Sequence, residues 1–554
     1  MIRNRRSLVA LIALLAVGMA ACGSSSGSSG GGGSVPKGGT LVLGAEQEPD
    51  CADWISSCGG SSWGVYTIEE HTMPRVFDYA QKNGVWTEVP NIMVTKMPTV
   101  ATVGGKQTIT YDINPKAVWS DGKPITSTDF KYTWDQIVNG TDIYDTSGYD
   151  KVEGVDDSNP KQAIVTFKEP YASWKGMFGG ALYGIFPSHL LQGKDRDAET
   201  KDGYSWSGGP WIAKWNKGAN VTLIPNPNWY GSKPHLDKVI FKFLADTASE
   251  FQAFKSGEVL GIYPQPQPEV IAAVKGATSG SNSFFTAETG NSEALWLNNA
   301  APPLDDVKVR QAIGYAIDRD AMINRLFGGL GVHKASQSLN YPIISKYAAP
   351  AYAVYKPNPS KVKSLLEGAG YTKGTDGFYA KGGTRLSLTM RTTAGNKRRE
   401  LTEQILQEQL KTSGIELKIA NQSAADLFGT SLPNGDYQIG LYAQTATSLD
   451  PGLCSIACSK NIPTDANQNT GQNWQRINVP GLDKQLEIVD SSTDVPKRVA
   501  ASKKADVLMG QAQVTLPFDP MPNILLWSKK IVGPVHDDPL FSMFINIDQW
   551  GLKK

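Results

Sequence analysis

No apolar run in this 554-residue sequence is long enough to cross a membrane: the longest, Leu8 to Ala21, falls short of the about 20 residues a spanning helix needs. Net charge is almost absent, since 54 Lys and Arg stand against 53 Asp and Glu to give +1. Without a basic excess there is no electrostatic footprint for nucleic acid. Histidine is scarce, with five residues at His71, His189, His235, His333 and His536, and no two share the close spacing of a metal site. No phosphate-binding glycine loop occurs. Gly23-Ser-Ser-Ser-Gly27 matches a nucleophile elbow in letters only, because a Gly/Ser run supplies neither the strand nor the helix that motif needs. Ser120-Asp-Gly-Lys123 matches the Ser-x-x-Lys of penicillin-recognising enzymes, but Asp121-Gly122 is a turn signal. No catalytic set is assembled anywhere in this long sequence, and neither a cofactor nor a metal site is expected.

What the sequence does have is a globular composition, 40% hydrophobic and 9% aromatic, with 56 Gly and 33 Pro marking many loops. Its N-terminus carries Arg3, Arg5 and Arg6, the apolar run, then Ala20-Ala21-Cys22. A basic start, a short apolar stretch and small residues before a cut site form an export signal over residues 1–21. The Ala-Ala-Cys ending resembles a bacterial lipobox, with Met19 where Leu is usual. That likeness implies lipidation of Cys22 and anchoring at the outer face of the bacterial cell membrane. Residues 23–34 are all Gly or Ser, so 22–36 reads as a flexible tether.

Removing Cys22 leaves Cys51, Cys58, Cys454 and Cys458. An even number in an exported chain reads as two disulfides. Pairing each with its sequence neighbour is simplest, although four cysteines allow three connectivities, and a four-thiolate zinc site is the alternative.

Alternating β-branched residues predict strands at Thr40–Leu43, Gln107–Tyr111, Ala163–Phe167, Val221–Ile224, Val239–Phe243 and Ile415–Ile419. Apolar periodicity predicts helices over Asp306–Phe327, Lys361–Glu367 and Leu401–Leu410. The mixture means α/β layers.

Collinear motifs then identify a family. Ala117-Val-Trp-Ser-Asp-Gly-Lys-Pro-Ile-Thr-Ser-Thr-Asp-Phe-Lys-Tyr-Thr-Trp134 combines a turn with a helix start near Thr126 to Asp129. Gly208-Gly-Pro-Trp211, Pro225-Asn-Pro-Asn-Trp-Tyr-Gly-Ser-Lys-Pro234, Gln252-Ala-Phe-Lys-Ser-Gly-Glu258, Asp306 to Arg319, Leu365 to Tyr371 and Asp450-Pro451 follow in order. The set resembles family 5 bacterial extracellular solute-binding proteins, the oligopeptide- and dipeptide-binding components of ABC importers.

The resemblance implies a two-lobed periplasmic-binding-protein-like fold with an extra subdomain and a ligand cleft between lobes. Lobe I would take 37–300, with the subdomain at about 61–200; lobe II would take 301–514, and a tail at 515–554 would return to lobe I. It implies a monomer that captures peptides or a similar amphipathic solute and delivers it to permease subunits. The alternative is a cell-envelope lipoprotein of the same fold, acting as a sensor or as a partner of wall or glycolipid synthesis.

The same resemblance places Glu46, Glu48, Trp54 and Tyr66 on one cleft face, near Asp50 and Trp63, and Tyr442, Gln444, Thr447 and Asp450 on the other. Gln444 and Thr447 stand where peptide binders carry a Trp and an Asp that pairs with the ligand's amino group. This departure implies weak selectivity for a free amino terminus, unless Glu46, Glu48, Asp50 or Asp450 supplies the charge.

Overall fold

The computed structural model describes residues 35–553, apart from 61, 180–183, 267, 278–281, 288, 447, 468 and 534–537. The export signal, Cys22 and the Gly/Ser stretch lie outside the described residues, as do Thr447 and His536. No helix among the described residues is long and apolar enough to cross a membrane.

Two large sheets organise the protein. The first has seven strands in the order Asn282–Ala287, Asn523–Ser528, Gly261–Ile262, Thr40–Ala45, Lys238–Phe243, Asn220–Pro225, Trp211–Asn216. Thr40–Ala45 runs parallel to both its neighbours. Leu41, Leu43 and Ala45 are fully buried, as expected of a central strand. The second sheet has five strands in the order Glu416–Ile419, Ser387–Arg391, Ile439–Thr445, Asn291–Leu297, Thr515–Pro520. A smaller antiparallel sheet of Thr99–Val103, Lys106–Asp112, Gln162–Phe167 and Val152–Asn159 lies within the stretch 61–200. There, Gln162–Phe167 buries every second residue, the signature of a sheet with one covered face. Helix Ser127–Asn139 packs on that face and opens with a capping box, in which Thr126 and Asp129 satisfy each other's backbone N–H groups. Asp129 also accepts from the buried Trp119 indole and from Ser188, so one carboxylate fixes the helix start and two loops.

The chain passes between the large sheets twice, between Ala287 and Asn291 and between Pro520 and Asn523. Strand Asn291–Leu297 pairs with Ile439–Thr445 and Thr515–Pro520, so both crossings lie away from the expected boundaries at 300/301 and 514/515. The physical reason is continuity of the ladder: Asn291 and Pro520 already belong to the second sheet. The crossings are tied together. Met521 N–H donates to Asn291 O at 3.0 Å, and the Thr289 hydroxyl donates to Met521 O at 2.8 Å.

The single helix expected over Asp306–Phe327 is two, Val307–Ala316 and Arg319–Phe327. Ile317 is extended, and the Asp318 side chain accepts from Ala321 N–H to start the second helix. An N-cap carboxylate inside an apolar period outweighs the period.

Candidate functional site

A cavity of about 620 Å³ lies between the two large sheets and the small one. Its walls begin where strand Thr40–Ala45 releases the chain into Glu46–Asp50, and where strand Ile439–Thr445 releases it toward Asp450. Glu46, Glu48, Trp54, Tyr66, Tyr442, Gln444 and Asp450 all line it, together with Asp50 and Trp63.

These residues differ in what holds them. Glu48 accepts from the Trp215 indole at 2.9 Å and from Gly218 N–H at 2.8 Å, which fixes the turn between strands Trp211–Asn216 and Asn220–Pro225. Asp450 is ion-paired with Arg498 at 2.9 Å, and Arg498 also donates to the Ser173 hydroxyl at 3.1 Å. Trp54 stacks on Phe186 with centroids 5.1 Å apart, so most of its surface packs the small domain. Glu46 accepts from Gln265 N–H at 3.0 Å. Burial raises its carboxyl to about 7, against the pull of the Gln265 bonds and of Arg398 and Arg399.

Two separate aromatic groups line the cavity. In one, Trp63, Tyr66 and Tyr263 meet edge to face, with centroids 5.7 to 6.0 Å apart. The Tyr66 hydroxyl accepts from Asn291 Nδ2 at 3.3 Å, linking this wall to the crossing strand. In the other, Trp474 contacts Tyr144, Phe428 and Tyr442 within 6.1 Å. The Tyr442 ring stacks on Trp296, and its hydroxyl accepts from Gln475 at 2.8 Å. These fixed rings offer large apolar contact area at low entropic cost.

The floor near the crossings holds a buried charge centre. Strand register sets Glu293 opposite Asp519, an arrangement of two carboxyls that cannot both ionise at low cost. Helix Lys397–Thr412 resolves the conflict. Its cap Asn396 accepts from Arg399 N–H, and the first turn delivers Arg398 and Arg399 to Glu293. Arg399 lines the cavity and also donates to Thr393 at 2.7 Å. Burial alone would raise Glu293, but the two guanidinium groups bring it down to about 2. Asp519 goes the other way: burial, then the Glu293 charge, raise it to about 8 despite both arginines.

The structure joins Cys51 to Cys58 and Cys454 to Cys458 as disulfides, with Cα–Cα separations of 5.8 and 4.6 Å. The loops they close carry Trp54 and Ser455, both lining residues. Among the described residues no group of His, Cys, Asp and Glu could hold a metal ion.

Sequence reasoning missed Asp145, Phe428, Trp474 and Asp490, which also line the cavity. Asp145 accepts from Gln472 Nε2 at 2.7 Å, and Gln472 in turn accepts from the Tyr144 hydroxyl. Gly148 makes this wall possible: its φ is +85°, and a Cβ there would stand 2.8 Å from the Tyr171 hydroxyl. Counting acids and bases in the lining gives six, Glu46, Glu48, Asp50, Asp145, Asp450 and Asp490, against Lys397 and Arg399.

The sequence around this cavity matches a family of known proteins. The model for bacterial extracellular solute-binding proteins, family 5 Middle, matches residues 99–459. The chain belongs to that family. Family 5 proteins bind solutes outside the cytoplasm rather than converting them, so this is an exported binding protein and not an enzyme. The oligopeptide-binding protein OppA of Mycobacterium tuberculosis is 26% identical over 500 residues, covering 88% of this chain and 80% of that protein. A putative ABC transporter peptide-binding protein of Brucella ovis is 31% identical over 270 residues, 46% of this chain and 48% of that one.

Solved structures share the two-lobed fold. The oligopeptide-binding protein AppA of Bacillus subtilis, in complex with a nonapeptide, superposes with a TM-score of 0.77 at 20% identity, covering 94% of this chain and all (100%) of that one. The periplasmic EDTA-binding protein EppA gives 0.77 at 23% identity, over 94% and 98% of the two chains.

Proposed function

We propose that this protein is the substrate-binding component of an ABC importer that captures peptides or a similar amphipathic solute and hands it to a membrane permease. The observation that carries the reading is the cavity itself, lined by two ring clusters, Trp63–Tyr66–Tyr263 and Tyr442–Trp474–Phe428. Rings in both clusters suit a ligand with apolar groups, while the acids and backbone groups of the lining suit its polar atoms. Glu46, Tyr66, Tyr442, Gln444 and Thr447 are the proposed contacts. Glu48 and Asp450 act through their partners, by fixing the Trp211–Pro225 turn and Arg498. The two lobes close on the ligand as a monomer, and the closed form docks on the permease.

Residues 1–21 act as an export signal, Cys22 carries the lipid, and the Gly/Ser tether keeps the binder beside its permease at high effective concentration. Substituting Cys22→Ala releases the protein from membranes or leaves the precursor uncut; unchanged fractionation with no precursor overturns the anchor.

Mass spectrometry of ligand retained through purification tests the main reading, followed by calorimetry with the identified compound. A peptide or peptide-like solute bound one to one is the expected result. A retained lipid-linked wall precursor would move the protein out of import.

A further inference from the structure

Asp490 stands apart from every other acid of the cavity. It lies in the last turn of helix Leu482–Ser491, is only 7% exposed and lines the cavity, yet its carboxylate makes no side-chain hydrogen bond or ion pair among the described residues. The charged groups around it are all engaged elsewhere. Lys151 is paired with Glu169 at 2.6 Å, Lys460 with Asp150 at 3.5 Å, and Arg498 with Asp450 at 2.9 Å. The other acids of the lining with printed bonds are satisfied by Gln265, Trp215, Gln472 or Arg498.

A buried carboxylate without a partner is costly, and native proteins keep one mainly where something else completes it. Besides Asp490 the lining has five acids, of which Asp450 is paired with Arg498, and two bases, both held by acids outside the lining, Glu293 and Glu400. Low-dielectric walls carrying one sign of charge concentrate solutes of the other sign.

From this geometry we infer that the cavity selects a cationic solute and that Asp490 receives the ligand's ammonium or guanidinium group. The inference rests on the solute-binding reading above and narrows it. Tyr144, Phe428, Tyr442 and Trp474, which also line the cavity, add rings that attract a cation. Burial raises the Asp490 carboxyl to about 7 although Lys151, Lys460 and Arg498 pull it down; a bound cation would keep it ionised at neutral pH. Such a group would also supply the counter-charge that Thr447 cannot.

Calorimetry on the full chain tests this with Ala-Lys-Ala and Ala-norleucine-Ala, each with a free and an acetylated N-terminus, and with spermidine as a non-peptide cation. The probes carrying a positive charge should bind at least tenfold more tightly than acetyl-Ala-norleucine-Ala, which has none. If acetylation removes the preference, the cation is the amino terminus; if norleucine removes it, the cation is the side chain. Asp490→Asn should abolish the preference, and Asp490→Glu should retain it. Equal binding of charged and uncharged peptides to the native protein overturns the inference while the peptide-binding reading stands, and this comparison needs no variant. Asp490-dependent binding of spermidine with no peptide bound does the reverse. A charge preference that survives in a folded Asp490→Asn protein also overturns it.

Discussion

Glu293 and Asp490 are both acids withdrawn from water, 1% and 7% exposed, and their surroundings drive them in opposite directions. Glu293 sits at the crossing strands with two guanidinium groups in contact and is held at about 2. Asp490 sits at the edge of the cavity with three bases nearby, none bonded to it, and rises to about 7. Burial acts on both in the same sense. Direct contact decides the outcome, because the attraction that offsets desolvation needs bonded geometry and not mere proximity. Glu293 has both its guanidinium partners within the protein, whereas Asp490 has no side-chain partner among the described residues.

The largest expected effect breaks the paired side. Arg398→Met leaves Glu293 buried with one partner and should cost about 3–5 kcal/mol in chemical denaturation, because a buried charge loses its compensation. A loss below about 1 kcal/mol would mean that Arg399 alone suffices.

Next comes the wall carrying Asp490. Helix Leu453–Ala457, whose Cys454 is bonded to Cys458, packs on helix Leu482–Ser491. Replacing both cysteines with Ser should cost roughly 2 kcal/mol, the closure entropy of so short a loop. It should also weaken ligand binding more than the corresponding change at Cys51 and Cys58, since only the former wall bears the unpartnered acid. Comparable losses of affinity at the two sites would remove that distinction.

The smallest effect is the sharpest. The folded pKa of Asp490 lies above the ordinary value of 3.8. Its contribution to stability is therefore fully present below pH 3.8 and is lost as pH rises through about 7. Without ligand, Asp490→Asn should leave stability unchanged below pH 3.8 and stabilise the protein progressively as pH rises from there to about 7, read by chemical denaturation. Glu69, Glu70 and Asp519, raised to about 8, and Asp538, raised to about 7, share this sign. The native protein should accordingly melt at a higher temperature at pH 6 than at pH 8. Equal melting temperatures would place these carboxyls in better-compensated surroundings than their contacts indicate.

Local chemistry was the legible part of the sequence. Alternation in Ala163–Phe167, the turn at Asp121-Gly122 and the cap at Thr126 to Asp129 each depend on neighbours a few residues away, and each forms as written. The residues that line the cavity were partly legible through family motifs: Glu46, Tyr66, Tyr442 and Gln444 reach it. What could not be read was pairing across long separations. Nothing local to Glu48 announces Trp215, and nothing local to Asp450 announces Arg498. Asp490 lies in Ile-Val-Asp-Ser-Ser-Thr-Asp, which reads as a polar helix end; only packing against the small domain, where Ala172 N–H donates to its backbone carbonyl, withdraws it from solvent.

The paired crossings also set an order of assembly. Everything in the five-stranded sheet lies within 291–520, one uninterrupted stretch of chain. The seven-stranded sheet instead draws strands from Thr40 onward yet keeps a place for Asn523–Ser528, which is the sheet neighbour of Asn282–Ala287. Synthesis proceeds from the N-terminus, and domains fold as units while they emerge. The lobe that begins first is therefore the one that finishes last. A nascent chain halted before residue 523 would hold a complete second lobe beside a first lobe with an open slot, its outermost strand still waiting for a partner.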